Sequence, residues 1–254
     1  PSLHDAPGAA APRDRSIRSM TRSTPRPAAT DDPSGSPAPS DARAPSDART
    51  PDSREPSDFE RPSSSLIGRL TLRSMNLWHT PLHRWGLAAA GIGADSRVLD
   101  VGCGGGGAVR RILRLTRAEV GAIDHSPAAV ELTRRLNAAA AASGRLRVIE
   151  GSVEALPFRT GYFNVVTAFE TVYFWPDLEA GLRETARVLG PGGRLVIVNE
   201  VADRRAAGIW ADRLGMNVPD GDTLAEACAK AGFARVDVRR HPRVGAWLRV
   251  VAGV

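Results

Sequence analysis

Residues 97–107 read Arg-Val-Leu-Asp-Val-Gly-Cys-Gly-Gly-Gly-Gly, and this stretch decides the expected fold. Its apolar residues Val98, Leu99 and Val101 are typical of a short buried strand, and the glycines that follow allow a tight turn. A helical pattern then runs over residues 108–115. A strand, a glycine loop and a helix in this order place the helix N–H groups beside a bound ligand. We therefore predict a nucleotide-type ligand site at this loop.

The glycine spacing alone fits two kinds of cofactor. Gly102, Gly104 and Gly106 match the G-x-G-x-G loop that binds S-adenosylmethionine (SAM). Gly102, Gly104 and Gly107 match the G-x-G-x-x-G fingerprint of dinucleotide sites equally well. Asp124 lies about 20 residues beyond the loop, where a carboxylate can accept the ribose hydroxyls of either cofactor. The loop by itself leaves both cofactors open.

Short β-rich runs alternate with helical patterns after the loop, which is typical of a parallel sheet covered by helices. The later strands are expected over residues 119–124, 146–150, 163–169, 194–198, 235–239 and 246–252. Helices are expected over residues 127–142, 178–189 and 223–231, and Ser126 is the predicted N-cap of the first. Residues 190–193, Gly-Pro-Gly-Gly, are expected to end the second helix and turn the chain into the next strand.

Ligands of such sheets bind at the carboxyl ends of the strands. The first strand would present Asp100 and the glycine loop at this edge. The later strands would add polar and turn residues there, namely Asp124, His125, Ser126, Gly151, Ser152, Val153, Glu170, Thr171, Asn199 and Glu200.

The charge of Asp100 distinguishes between the two possible cofactors. A carboxylate at Asp100 would repel the pyrophosphate of a dinucleotide above the loop. SAM carries no phosphate, and its sulfonium and amino groups are cationic, so Asp100 and Glu170 would attract it. Charge matching therefore favours SAM.

Four segments together resemble class I SAM-dependent methyltransferases, specifically the small bacterial type related to quinone-biosynthesis methyltransferases. They are Val-Leu-Asp-Val-Gly-Cys-Gly at 98–104, Gly-Ala-Ile-Asp-His-Ser at 121–126, Gly-Ser-Val-Glu-Ala-Leu-Pro-Phe at 151–158 and Arg-Val-Leu-Gly-Pro-Gly-Gly-Arg-Leu at 187–195. The resemblance implies an α/β fold with a Rossmann-like, mainly parallel seven-stranded sheet. It also implies helices on both faces of the sheet and an antiparallel last strand.

The resemblance implies how these residues would divide the cofactor among them. Asp100 and the loop would line the methionine end of SAM, Asp124 would hold the ribose, and His125 would lie against the adenine. Ser152 and the backbone of Val153 would meet the polar edge of the adenine. Family members usually carry an acid where Ser152 stands, and a hydroxyl is a weaker acceptor. The predicted cofactor-binding set is Asp100, Gly102, Cys103, Gly104, Gly106, Asp124, His125, Ser126, Ser152, Val153 and Glu170.

Two segments are candidates for the acceptor side. Residues 170–177, Glu-Thr-Val-Tyr-Phe-Trp-Pro-Asp, cluster aromatic side chains after the fourth strand, and an aromatic wall there suits a small or flat organic acceptor. Residues 75–87 resemble the amino-terminal lid of the same bacterial subgroup. Glu170, His79 and Tyr173 are the predicted catalytic residues, and a general base is needed only where the acceptor must lose a proton.

Histidine and cysteine spacing does not predict a metal site. His79 and His83 are four residues apart and would share one helix face, but no third ligand lies near them in the sequence. Cys103 and Cys228 have no metal-ligand spacing and indicate reduced thiols in a cytoplasmic protein. We expect Cys103 to fill space rather than act as a nucleophile.

Composition divides the chain into a tail and a domain. Residues 1–62 are rich in Pro, Ser, Asp and Arg and are expected to be disordered, whereas residues 63–254 would form the methyltransferase domain, with lid helices over 63–95. The formal net charge is +6, but no basic run interleaved with aromatics indicates a nucleic-acid partner. No apolar run predicts a membrane span or a secretory signal.

The expected activity is methyl transfer from SAM to a small organic acceptor by in-line displacement, without a prediction of the acceptor atom or of the oligomeric state. One alternative is a nicotinamide-dependent oxidoreductase, against which Asp100 and the Pro-Gly-Gly segment at 191–193 argue. The other is a non-catalytic SAM-binding regulatory module whose tail recruits a partner.

Overall fold

The computed structural model describes residues 79–254, so the predicted tail (1–62) and residues 63–78 of the predicted lid lie outside the described residues. The strands are β1 Val98–Val101, β2 Val120–Asp124, β3 Leu146–Glu150, β4 Phe163–Phe169, β5 Leu189–Asn199, β6 Arg235–Arg240 and β7 Leu248–Gly253. The α-helices are α1 Thr80–Ala90, α2 Gly107–Leu115, α3 Pro127–Leu136, α4 Ala138–Ala142, α5 Leu178–Val188, α6 Arg204–Ala207, α7 Ile209–Leu214 and α8 Gly221–Lys230. Short 3-10 turns follow β3 (Val153–Ala155) and β4 (Val172–Phe174).

The seven strands form one sheet in the order β3-β2-β1-β4-β5-β7-β6. Neighbouring strands from β3 through β5 are parallel, whereas β7 runs antiparallel to both β5 and β6. The predicted α/β fold with an antiparallel last strand is therefore confirmed. The strand order reverses beside β1, because β2 lies on one side of it and β4 on the other. Such a reversal opens a crevice at the carboxyl ends of β1 and β4.

Alternating side chains of the strands build a separate core on each face of the sheet. In β5, Leu195 and Ile197 belong to the core that α5 and α8 cover. Val196 and Val198 belong to the core that α1, α2 and α3 cover. Every residue of β1 and β2 is buried, as expected of central strands covered on both faces.

The predicted helix over residues 127–142 is interrupted at Asn137. Helix α3 ends at Leu136, and the buried Asn137 has φ −118° and ψ 32° before α4 begins. Its Nδ2 donates to the carbonyl oxygens of Thr133 at 3.0 Å and Gly106 at 3.4 Å. The alanine run at 138–142 favours a continuous helix. The hydrogen bonds from the Asn137 side chain to the backbone stabilise the break instead.

Strand β5 begins earlier than predicted. Leu189 pairs with Phe163, and the regular ladder resumes where Val165 pairs with Arg194. Residues 190–193 therefore form an irregularity inside the strand rather than a turn before it. The prediction of a turn is wrong because Leu189 already pairs with the start of β4.

The helices within residues 79–254 are short. The longest, α1 and α5, contain 11 residues each. Helices α6 and α7, which the sequence did not predict, lie between β5 and α8. None of the helices in this part of the chain combines the length and apolar character that a membrane crossing needs.

Candidate functional site

The glycine loop after β1 is tied to the end of β2. The backbone N–H groups of Gly102 and Cys103 donate to the Ile123 carbonyl oxygen at 2.8 and 3.1 Å. The N–H of Gly104 donates to Asp124 Oδ2 at 2.8 Å. The carboxylate of Asp124 therefore lies directly beside the loop.

Three loop glycines adopt left-handed backbone conformations, but the space beside each of them differs. The φ angles of Gly102, Gly104 and Gly106 are +70°, +50° and +77°. A Cβ at Gly102 would lie 2.1 Å from Thr171 Oγ1, and one at Gly106 would lie 2.9 Å from atoms of Thr133. A Cβ at Gly104 would meet no atom of the described residues within 4 Å. Gly102 and Gly106 thus permit close packing, whereas Gly104 borders open space.

Two side chains that the sequence analysis did not select hold the loop, one from α3 and one from the residue that follows it. Thr133 Oγ1 donates to the Gly104 carbonyl oxygen at 2.9 Å. Asn137 Nδ2 donates to the Gly106 carbonyl oxygen at 3.4 Å. The signal for this pair was available in the sequence, because polar residues four apart at the end of a helix can face the same neighbour.

Asp100 is buried in β1, with 2% of its surface exposed. Its Oδ1 accepts a hydrogen bond of 2.6 Å from Thr167 Oγ1, which lies beside it on β4. Burial raises the pKa of Asp100 to about 7, the Thr167 hydrogen bond opposes this shift, and the nearby Asp124 adds to it. None of the ion pairs within residues 79–254 includes Asp100. A cationic ligand would therefore stabilise the ionised carboxylate.

The end of β2 brings Asp124, His125 and Ser126 to the loop. Asp124 is buried, and its Oδ1 accepts a hydrogen bond of 2.9 Å from the N–H of Ser126. Burial raises the pKa of Asp124, although the hydrogen bonds from Ser126 and Gly104 oppose the shift. His125 is exposed, and its Nδ1 lies 3.7 Å from Asp124 Oδ1. Ser126 is buried and caps α3 by accepting from the N–H of Ala129 at 3.4 Å.

Ser152 and Val153 follow β3 at the same edge of the sheet. The N–H of Gly151 donates to the carbonyl oxygen of Asp124 at 2.9 Å, which holds the ends of β2 and β3 together. Ser152 is exposed, and its Oγ accepts a hydrogen bond of 3.2 Å from the N–H of Glu154. Val153 packs into the core beside α5. The hydroxyl of Ser152 is thus engaged in capping the turn that follows it.

Glu170 follows β4 and has φ +58°, the one positive value of a non-glycine residue within 79–254. This conformation costs an L-amino acid about 1–2 kcal/mol. Its N–H donates to the Val198 carbonyl oxygen at 3.0 Å, and its Oε1 accepts from the N–H of Glu200. Loss of hydration raises the pKa of Glu170 well above its ordinary value; the N–H of Glu200 opposes this shift and the Glu200 carboxylate adds to it.

His79, Glu170 and Glu200 come together as one group, which we call the His79–Glu170–Glu200 cluster. Each offers a metal-ligand atom, and these atoms lie within 4.8 Å of one another. The sequence analysis found no third ligand near His79; in the structure two carboxylates lie near it, from the ends of β4 and β5. His83 is not part of this group. Burial and the nearby Arg111 lower its pKa to about 3.

Of the three aromatic residues after β4, only Phe174 is partly exposed, so Tyr173 and Trp175 do not contribute to the open wall expected from the sequence. Tyr173 and Trp175 are buried in the core that α5 covers, with 2% and 6% of their surfaces exposed. A Cβ at Gly181 of α5 would lie 2.6 Å from the Trp175 ring, so the ring packs against that helix. The side chains of Tyr173 and Trp175 are therefore buried inside the domain.

Tyr173 connects the segment after β4 to the segment after β5. Its hydroxyl donates to the Val201 carbonyl oxygen at 3.2 Å and accepts from the Val201 N–H at 3.1 Å. Burial raises the pKa of the phenol, which keeps it protonated. These contacts give Tyr173 a positioning role and weigh against the predicted catalytic role.

We expect Tyr173→Phe to lower the free energy of unfolding by about 1–3 kcal/mol, because two backbone groups of Val201 lose their partner. Urea unfolding measures this change, and Tyr162→Phe, which removes a hydroxyl that bonds Glu119 away from this segment, is the matched control. SAM binding should persist in both variants. A Tyr173→Phe protein of unchanged stability that has lost methyl transfer would instead make the phenol a catalytic group.

The two cysteines are free and buried. Burial raises the pKa of the Cys103 thiol well above its ordinary value, and the nearby Asp124 carboxylate adds to the shift. Burial also raises the pKa of Cys228 to about 12. Both thiols therefore stay protonated, and Cys103 is poorly suited to nucleophilic chemistry.

Residues 99–197 match the protein family described as a methyltransferase domain. The match begins in β1, contains the glycine loop and the ends of β2, β3 and β4, and finishes in β5. The chain therefore contains a methyltransferase domain. The residues at the carboxyl ends of β1 to β4 thus belong to the matched segment.

Named relatives support this assignment. A ubiquinone biosynthesis O-methyltransferase from Xanthomonas oryzae pv. oryzae is 34% identical over 157 residues, which cover 61% of this chain and 62% of that protein. A sterol 24-C-methyltransferase from Aspergillus fumigatus is 36% identical over 103 residues, covering 41% and 27%. The chain therefore spans less than two thirds of the length of these relatives. Their names specify O- and C-methylation, so the methyltransferase domain does not by itself identify the acceptor atom.

A solved structure extends the likeness of fold beyond the matched segment. A chain in the complex between the Haloferax volcanii Trm112 methyltransferase activator and a methyltransferase superposes with a TM-score of 0.65. The two chains are 21% identical, and the likeness covers 72% of this chain and 93% of that one. The methyltransferase domain thus shares its architecture with that chain.

Proposed function

We propose that this methyltransferase domain transfers a methyl group from SAM to a small organic acceptor by in-line displacement. The observation that carries the proposal is the buried Asp100 carboxyl beside the glycine loop, which accepts a hydrogen bond from Thr167. A buried carboxylate favours a cationic neighbour, and both the sulfonium and the amino group of SAM are cations. The pyrophosphate of a dinucleotide would be repelled there.

The space around the loop also fits such a ligand. Gly104 borders a region that no atom of the described residues fills within 4 Å of a Cβ at that position. Thr133 and Asn137 hold the loop by hydrogen bonds to the carbonyl oxygens of Gly104 and Gly106. SAM supplies a methyl group that is already activated, so the protein mainly aligns the reactants and excludes water.

The predicted division of the cofactor among the residues remains part of this proposal. Asp124 would accept the ribose hydroxyls with the lone pairs that its bonds to Gly104 and Ser126 leave free. The exposed ring of His125 would lie against the adenine. Because the Ser152 hydroxyl is engaged with Glu154, we assign the polar edge of the adenine chiefly to the backbone of Val153.

We place the acceptor beyond the glycine loop, at the carboxyl ends of β4 and β5. The proximity of His79 and Glu170 to each other supports a role for both on the acceptor side. By name, one of the two relatives above serves ubiquinone biosynthesis and the other methylates a sterol, which supports a small-molecule acceptor. A cytoplasmic location is proposed from the two free thiols, which suit a reducing compartment.

Calorimetry of the full chain with SAM and with NAD tests the choice of cofactor. We expect SAM and S-adenosylhomocysteine to bind and NAD to give no heat of binding. Binding of NAD without SAM would overturn the proposal in favour of an oxidoreductase. If SAM binds but a broad panel of acceptors never yields S-adenosylhomocysteine, a regulatory SAM-binding module is the better description.

A further inference from the structure

Three side chains with metal-ligand atoms converge from separate elements in the His79–Glu170–Glu200 cluster. His79 precedes α1, Glu170 follows β4, and Glu200 follows β5. The helix and the two strand ends meet at the acceptor side of the proposed methyltransferase site. The donor atoms lie within 4.8 Å of one another, which a single ion can span.

The distance between His79 Nε2 and Glu200 Oε2 is 3.5 Å. A direct charge-assisted hydrogen bond between these groups would be about 2.7–2.9 Å long. Two ligands that each bind zinc at about 2.1 Å are separated by about 3.4 Å along the edge of a tetrahedron. This ion-pair separation also matches that of two ligands of one ion.

The charges of the cluster also favour a cation. Glu170 is held beside a second carboxylate, with its Oε1 on the backbone N–H of Glu200. Within residues 79–254, the ion pairs with arginine and lysine include neither Glu170 nor Glu200. Two neighbouring carboxylates of which one is poorly hydrated are stabilised by a shared proton or by a metal ion.

We propose that the His79–Glu170–Glu200 cluster binds a divalent transition-metal ion of the zinc type. One imidazole nitrogen and two carboxylate oxygens suit zinc and its neighbours, whereas magnesium and calcium prefer oxygen ligands alone. The partly exposed His79 and Glu200 leave the ion open to solvent on one side, with 17% and 54% of their side chains exposed.

Three protein ligands leave a coordination position for a further molecule, as in open zinc sites. This step rests on the proposed function: an acceptor with a hydroxyl or carboxylate oxygen would bind the ion beside the carboxyl end of β4. The acceptor class is then an oxygen-bearing metabolite, and the ion would orient it and lower the pKa of a bound hydroxyl.

Titration calorimetry of the metal-free full chain with Zn²⁺ tests the site without any need for activity. We expect about one ion per chain for the wild type and at least about tenfold weaker binding for Glu200→Gln. Glu179→Gln is the matched control, because Glu179 is exposed to the same degree and pairs with Arg183 on α5. Mg²⁺ should bind more weakly than Zn²⁺ to the wild-type protein.

A second variant, His79→Gln, removes the imidazole and should weaken Zn²⁺ binding as well, with far-UV circular dichroism confirming that each variant is folded. Absence of Zn²⁺ binding by the wild type, or equal affinity in Glu200→Gln and the wild type, would overturn the metal site. Calorimetry with SAM on the metal-free protein is independent of this result. SAM binding without Zn²⁺ binding would therefore refute the metal site and leave the proposed function intact. Zn²⁺ binding without SAM binding would support the metal site and refute the proposed function.

Discussion

Gly102→Ala is expected to lower the free energy of unfolding by about 3 kcal/mol, because two costs add at this position. The first is the left-handed backbone, with φ +70°, which costs a residue with a Cβ about 1–2 kcal/mol. The second is overpacking, since the new methyl group would lie 2.1 Å from Thr171 Oγ1 at the end of β4. Such overpacking costs about 1–3 kcal/mol.

Gly104→Ala is the matched control, because Gly104 shares the left-handed backbone and lacks the close neighbour. Its φ is +50°, and an added Cβ would meet no atom of the described residues within 4 Å. We expect a loss of only about 1–2 kcal/mol in urea unfolding. The methyl group would project toward the proposed SAM position, so affinity for SAM in calorimetry should fall in this variant. Equal losses of stability in both variants would contradict the role assigned to Thr171.

Asp100→Asn is expected to separate cofactor binding from stability. Asparagine keeps the shape of the side chain and can accept the hydrogen bond from Thr167, but it carries no charge. Removing one partner of a buried charge pair costs about 2–5 kcal/mol, so SAM affinity should fall at least about 30-fold. At pH 8 the free energy of unfolding should not decrease, because the variant no longer has to bury an ionised carboxylate.

The pH dependence of stability provides the second readout for Asp100. Its pKa in the folded protein is raised from 3.8 to about 7, so the folded state holds a proton that the unfolded state has released between these values. The stability that Asp100 contributes is therefore present below about pH 4 and is lost as the pH rises toward 7. The slope of unfolding free energy against pH in this window should become less negative in Asp100→Asn.

Asp95→Asn is the control for this measurement, because Asp95 is exposed and pairs only at 3.6 Å with the exposed Arg117. We expect its pH profile and its SAM affinity to match those of the wild type. The same pH slope in Asp100→Asn and the wild type would show that another group, such as Asp124, carries the effect. Unchanged SAM affinity in Asp100→Asn would remove the main support for the proposed cofactor site.

Local patterns in the sequence were sufficient to place strands β3 and β4. The predicted spans of β3 and β4, residues 146–150 and 163–169, agree with the structure residue for residue. Both are short β-rich runs bounded by turn residues; β4 is buried along nearly its whole length, whereas β3, at the edge of the sheet, is buried only at Leu146 and Val148. The loop after β1 was likewise predictable, because glycine tolerates the left-handed conformations found there.

Features that depend on contacts between distant segments were not predictable in the same way. The break at Asn137 depends on a hydrogen bond to Gly106, 31 residues away, whereas local propensity favoured a continuous helix. From the sequence, the aromatic side chains after β4 were predicted to line the acceptor site, but Trp175 packs against Gly181. In the sequence, His83 was the possible second metal ligand that would share a helix face with His79. In the folded chain, the possible ligands near His79 are the carboxylates of Glu170 and Glu200.

Because the backbone of Glu170 is left-handed, selection for stability and selection for activity favour different residues at position 170. Glycine at this position would adopt φ +58° without steric cost, so selection for thermal resistance alone would discard the glutamate. Retaining a carboxyl group there requires a benefit larger than about 1–2 kcal/mol. In a library of variants at position 170, selection for heat tolerance should therefore enrich glycine, whereas selection for activity should retain glutamate.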